Sequence, residues 1–264
     1  LEENFIYNEP VLLAIGFIIL IHCLGFLIAY LRQTDALTDL SYALGFFGAA
    51  WISYVLNPKD DLNLLACLCI SLWALRLGGY LAHRVHVIGR DSRFDEMRAS
   101  FLKFGGFWLL QALTIIIMTL PVFFAFPESA PLNYAWVFPW TGVFLIGLVL
   151  ETVADWQKFQ FKKDNPSDFC SIGVWSWCRH PNYLGEILCW WALALMLSDK
   201  YTGWAHLAWV SPLWISFLLL KISGIPPLEN AWKEKYGQSQ QFQDYVKNTP
   251  RLIPIRLSLG KKSK

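Results

Sequence analysis

Arg179, His180, Asn182, Tyr183 and Glu186 crowd together immediately before the apolar run Ile187-Leu188-Cys189-Trp190-Trp191. Arg offers a planar fork of donors suited to phosphate oxygens. Asn and Tyr supply directional hydrogen bonds, and Glu accepts them from hydroxyl or amide groups. Charged groups at membrane depth cost roughly 2.5–3.5 kcal/mol each on insertion scales, so a cluster at the mouth of a membrane helix points to function. On a helix, Asn182, Glu186 and Trp190 share one face at i, i+4 and i+8, and Tyr183 begins the next. Upstream, Glu151, Asp155, Lys158 and Lys162 form a second stripe, acidic within the apolar run and basic at its exit. Such a gradient suits a ligand with hydroxyl or amide groups at its inner end and phosphates at its outer end. The bland alternatives are snorkelling lysines and polar caps within a Trp/Tyr belt. They explain Glu151, Asp155 and Glu186 poorly.

Two further groups stand earlier in the chain. Trp73, Arg76 and Tyr80 lie on one helical side with His83 or Arg84, and Asp39 shares a face with Tyr42. Arg76 is too deep to snorkel, so it should pair with a carboxylate among Asp39, Glu151, Asp155 and Glu186; a structural ion pair is an equal reading. Either Asp35 or Asp39 is a candidate helix cap. The segment 84–103, which includes Arg90 and Arg93, is rich in guanidinium groups fit for phosphate oxygens or anionic lipid.

The elements that must position these residues are membrane helices. Of 264 residues, 55% are hydrophobic and only 16% charged, which is too apolar for a soluble domain of this length. The chain reads as an all-α, polytopic membrane protein and a single domain. Seven spans are expected, near Val11–Leu31, Ala36–Leu56, Leu62–Ala82, Phe104–Phe126, Tyr134–Trp156, Tyr183–Ser198 and Trp204–Ile222. Positive residues gather after the odd spans, whereas the opposite loops carry only Lys59 and Lys200. The positive-inside rule therefore puts the N-terminus outside and the C-terminus and long loops in the cytosol. The net charge of +2 reads as an orientation signal and gives no reason to expect a nucleic-acid partner. The first span follows an acidic Glu2-Glu3 start and reads as an uncleaved helix. The six cysteines lack zinc spacing, so no metal site is expected.

The run from Gly173-Val174-Trp175-Ser176-Trp177-Cys178-Arg179-His180-Pro181-Asn182-Tyr183-Leu184-Gly185-Glu186, with Lys235-Tyr236-Gly237, Asp244-Tyr245 and Leu252-Ile253-Pro254, resembles the C-terminal half of the steroid 5-alpha-reductase family. Sterol reductases are similar over the same stretch. Trp73-Ala74-Leu75-Arg76-Leu77 and Gly89-Arg90-Asp91-Ser92-Arg93-Phe94 resemble a bacterial-type branch. The resemblance implies NADPH entering from the cytosolic side, an apolar substrate arriving from the lipid, and hydride transfer to the beta carbon of an enone, most simply the 4-ene of a 3-oxo steroid. It also implies that residues 1–103 face substrate and 134–264 form a cofactor half. It implies that Glu151, Asp155, Asn182, Glu186 and Trp190 surround the nicotinamide and its ribose, with His180 and Tyr183 in the same motif. Arg90, Arg93, Lys158, Lys162, Arg179 and Tyr245 would then face phosphates and adenosine. No Gly-rich dinucleotide turn is present, so side chains must do this work.

One departure shifts the catalytic roles. Trp73 stands where animal members carry a Tyr, and Asp39 where they carry a Glu. Indole has no hydroxyl to polarise a carbonyl, so that role passes to Tyr80 or Tyr42 supported by Asp39. S-adenosylmethionine-dependent membrane methyltransferases of the isoprenylcysteine carboxyl or phospholipid type share the Arg-His-Pro…Tyr…Gly pattern. They add paired Glu residues in the last helix, where this chain has only Glu229 between Ser223 and Asn230. The expected address is a bacterial inner membrane. Lys261-Lys262-Ser263-Lys264 also resembles an endoplasmic-reticulum retrieval signal.

Overall fold

The computed structural model describes residues 9–88, 95–128 and 131–255. Arg90, Arg93 and the terminal lysines Lys261, Lys262 and Lys264 lie outside them. Eleven α-helices occur among the described residues, and no strand. They are α1 (Glu9–Arg32), α2 (Ala36–Leu56), α3 (Asp61–Ile88), α4 (Asp95–Arg98), α5 (Phe101–Met118), α6 (Leu120–Ala125), α7 (Tyr134–Asp164), α8 (Pro181–Met196), α9 (Val210–Phe217), α10 (Ile225–Tyr236) and α11 (Gln240–Asn248).

Six helical segments among the described residues are long and apolar enough to cross a membrane: Glu9–Arg32, Leu37–Leu56, Asp61–Tyr80, Phe101–Ala125, Tyr134–Asp164 and Gly203–Tyr236. Large apolar side chains such as Leu12, Leu20, Leu24 and Leu27 point outward from α1, as expected where lipid replaces water. With 16 residues, α8 rises only about 24 Å, short of the roughly 30 Å of bilayer hydrocarbon. The last segment is broken. A π-turn at Leu218–Ile222 ends α9, and Gly224 followed by Pro226 and Pro227 restarts the chain as α10, because Pro is tolerated only in a first helical turn.

The chain forms two compact units. The first comprises residues 1–141 and 192–214. Within it α2 packs on α1 and α3, and α5 on α1. Phe104 and Trp108 are buried against Phe26 and Tyr30 there. Asp35 stands at the N-cap of α2, but its side chain caps nothing and instead pairs with the buried Arg98. This settles one reading of Asp35 and draws Arg98 out of the expected anion-facing loop. Lys200 has a side-chain exposure of 0% and donates to Asp60 at 2.5 Å, to Asn63 Oδ1 at 2.8 Å and to the Glu128 carbonyl at 2.9 Å.

The second unit comprises residues 142–191 and 215–264. Its core joins Ala154, Cys170, Val174 and Trp175 to Leu150, Val153, Phe161 and Trp232. Trp175 Nε1 donates to the Ala154 carbonyl at 2.9 Å. The polar segment from α10 to residue 255 is folded onto this core. Phe169 meets Tyr236 and Tyr245 at tilted angles and Phe242 edge-on, with centroids 5.8, 5.3 and 5.1 Å away, and the Arg179 amide donates to the Pro250 carbonyl at 2.8 Å.

Candidate functional site

Two glycines decide where the polar stripe of α7 meets α8. A Cβ on Gly147 would lie 2.7 Å from the Gly185 carbonyl oxygen, and one on Gly185 would lie 2.6 Å from that of Gly147. The helix backbones therefore touch, an approach that only small residues permit. A Cβ at Gly185 would also sit 2.8 Å from that of Glu151, so Glu151, only 3% exposed, lies against the first turns of α8. One turn further along α7, Asp155 Oδ1 accepts from Asn182 Nδ2 at 3.3 Å. Asn182 begins the face that carries Glu186 and the buried Trp190. The structure thus brings together Glu151, Asp155 and the Asn182 stripe. Asn182 Oδ1 is buried and has no hydrogen-bond partner among the described residues. An amide oxygen left so costs about 1–3 kcal/mol, which a ligand donor would recover. The arrangement therefore offers a buried acceptor that a ligand N–H could use.

The outer end of the stripe is more occupied than the sequence suggests. Lys158 lies over the rings of Trp175 and Trp232, at 4.8 and 5.4 Å from their centroids. Lys162 donates to the Tyr236 hydroxyl at 2.6 Å and to the Asp168 carbonyl. Tyr245 donates its hydroxyl to the Trp175 carbonyl at 2.7 Å, and burial pushes the phenol's pKa up, so it stays a donor at neutral pH. Arg179 donates to Glu229 Oε1 at 2.7 Å. His180 Nε2 meets the same oxygen at 3.0 Å, and Arg251 pairs with Oε2 at 3.0 Å.

His180 shows which electrostatic effect wins. Its ring lies nearly parallel to Trp232 and Tyr183, with centroids 5.3 and 5.7 Å away. Burial lowers its pKa to about 4, outweighing the Glu229 carboxylate that pulls the other way. Two arginines already neutralise that carboxylate, so His180 is neutral at pH 7 and donates from Nε2. Its Nδ1 is buried without a partner among the described residues.

Glu229, Trp232 and Arg251 are site residues that sequence reasoning gave no role. The usable signal was the Arg179-His180 pair facing a chain with one Glu between Ser223 and Asn230. The proposed catalytic group belongs to the first unit: Asp39 and Tyr42 on α2, Tyr80 on α3. The Tyr42 hydroxyl points to Met118 Sδ at 3.9 Å, and the Arg76 guanidinium lies 5.9 Å from the centre of the Tyr80 ring.

Residues 25–249 match a family described as a protein of unknown function, DUF1295. The chain belongs to the DUF1295 family. The matched stretch runs from within α1 to just past α11, so it includes the α7–α8 crossing, the Arg179-His180 pair and Glu229. Arg251 falls immediately beyond it. No curated protein and no solved structure matches the chain.

Proposed function

We propose that this DUF1295 protein is an NADPH-dependent membrane reductase acting on enones, with the 4-ene of a 3-oxo steroid as the first substrate to test. The observation that carries the reading is the buried, unpartnered Asn182 Oδ1 beside a row of carboxylates at the glycine crossing. That oxygen would accept from the nicotinamide carboxamide, and Glu151 and Asp155 would take ribose hydroxyls. Glu186 and Trp190 extend the same face. Lys158, Lys162, Arg179 and Tyr245, with Arg90 and Arg93, would serve phosphates and adenosine. Bound there, NADPH would supply the hydride for the beta carbon, with a solvent-derived proton completing the alpha carbon and NADP+ as the oxidised product. Tyr42 or Tyr80, with Asp39, would hydrogen-bond the carbonyl oxygen as charge builds there.

The same reading counts α8 as a short seventh span, with the N-terminus outside, the C-terminus cytosolic and substrate drawn from the lipid. The charge bias supports that orientation, and a bacterial inner membrane is the favoured address. For a methyltransferase, the relevant residue is Glu229. Both of its oxygens are already used by Arg179, His180 and Arg251, which weakens that alternative.

Turnover of a 3-oxo-4-ene steroid with 4-deuterated NADPH tests the proposal. Deuterium should appear at the beta carbon, and Asn182→Ala should raise the NADPH KM about tenfold, the cost of one well-placed hydrogen bond. Product without deuterium, or no product from any enone, would contradict it.

A further inference from the structure

We propose that the outer end of α7 carries, on its other face, a binding site for the headgroup of a phospholipid with a primary ammonium. With 31 residues, α7 is about 46 Å long against roughly 30 Å of hydrocarbon, so one end must project. Lys158, Lys162, Lys163 and Asp164 mark that end as its C-terminus. Beside it opens a cavity of ≈ 350 Å³ lined by Trp156, Gln157, Gln160, Asp164 and Gly173 among others. At about 100° per residue, Gln157, Gln160 and Asp164 lie roughly 150° around the helix from Glu151, Asp155, Lys158 and Lys162. Most of the α7 lining therefore lies away from that stripe, while Phe161 and Asn165 close the cavity on the side nearer to it; none of these residues is assigned to the nucleotide.

Its far wall is built rather than incidental. Gly173 takes a φ of +56°, and a Cβ there would run into the Gln157 carboxamide. Gln157 Oε1 accepts from the Val174 amide at 3.0 Å, pinning the loop over α7 while its NH2 group remains a donor.

The chemistry changes with depth in the order a phospholipid requires. Trp156 and Ile172, 53% and 54% exposed, present apolar surface at the level where hydrocarbon gives way to headgroups. Gln157 and Gln160 follow with amide donors for ester and phosphate oxygens. Asp164 stands about 6 Å further out, one turn beyond Gln160. Asn165 donates from Nδ2 to the Phe161 carbonyl at 3.3 Å, so its Oδ1 is an acceptor beside that carboxylate. Acceptors at the outermost position suit an ammonium that still has N–H bonds. A trimethylammonium favours an aromatic cage instead, and an anionic headgroup would meet Asp164 with like charge.

Native mass spectrometry of the purified full-length chain, offered equal amounts of phosphatidylethanolamine, phosphatidylcholine and phosphatidylglycerol, tests the site. Phosphatidylethanolamine should be retained preferentially. Asp164→Asn should cut that retention about three- to fivefold, the scale of an exposed ion pair, and leave phosphatidylcholine unchanged. Gln160→Ala should also weaken it. A photoreactive phosphatidylethanolamine headgroup should label the peptide spanning 156–165. Equal retention of the three lipids, preference for phosphatidylglycerol, indifference to Asp164→Asn, or labelling confined to other helices would overturn the proposal.

Discussion

Glu229 holds three cationic or donor groups at once, and the state of His180 follows from that arrangement. Arg179 and Arg251 satisfy the carboxylate charge, so a proton on His180 has little to gain against the cost of burial. Its pKa falls from 6.5 to about 4 on folding. Between those values the unfolded chain binds more protons than the native one. The contribution of His180 is thus complete above pH 6.5 and is lost as pH drops towards 4, by about 3 kcal/mol in all. Chemical unfolding in detergent should show the wild type losing stability between pH 7 and 4.5, whereas His180→Gln should lack that slope. An equal slope in both proteins would place the titration elsewhere. Arg179-His180 was conspicuous in the sequence because it stands with Asn182 and Glu186 at the mouth of an apolar run. Its partner was not, since Glu229 lies 49 residues from His180 and periodicity carries no information about a chain that folds back.

At the scale of helices, apolar runs and their 3.6-residue stripes predicted α1, α2, α3, α5 with α6, and α7. They also placed Glu151 and Asp155 on one face and Asn182 and Glu186 on another. What they could not provide is which backbones touch. That depends on Gly147 and Gly185 meeting across two helices, and a glycine in an apolar run looks the same whether or not another backbone approaches it. Gly185→Leu should separate α7 from α8, destabilise the protein by about 1–3 kcal/mol and abolish the proposed NADPH binding. Thermal unfolding together with nucleotide titration reads both effects. Full NADPH affinity in a folded Gly185→Leu protein would show that the crossing does not position the site. The break at Gly224 was equally hidden, because Ser223 to Pro227 reads as a helix exit in sequence while the structure resumes as α10.

For the whole molecule, charge counting placed Lys200 among the few cations of one membrane face. The structure buries it against Asp60, Asn63 and the Glu128 carbonyl, so it ties three connecting segments of the first unit together. Removing one partner of a buried pair leaves an uncompensated charge. Lys200→Met should therefore cost about 3–5 kcal/mol, much of it regained when Asp60 is also made apolar, as a double-mutant unfolding series would report. Fold class was legible because composition and span length are properties of the chain as a whole. The proposed cofactor site rests on a smaller set of residues in α7 and α8, brought together by contacts that composition does not encode. The most direct test is to purify the protein in mild detergent, denature it and identify any released nucleotide by mass spectrometry. NADP(H) in near-stoichiometric amount is expected from the wild type and should be lost from Asn182→Ala. Release of S-adenosylmethionine or its demethylated product instead would contradict the reductase reading and take the nicotinamide role from Asn182.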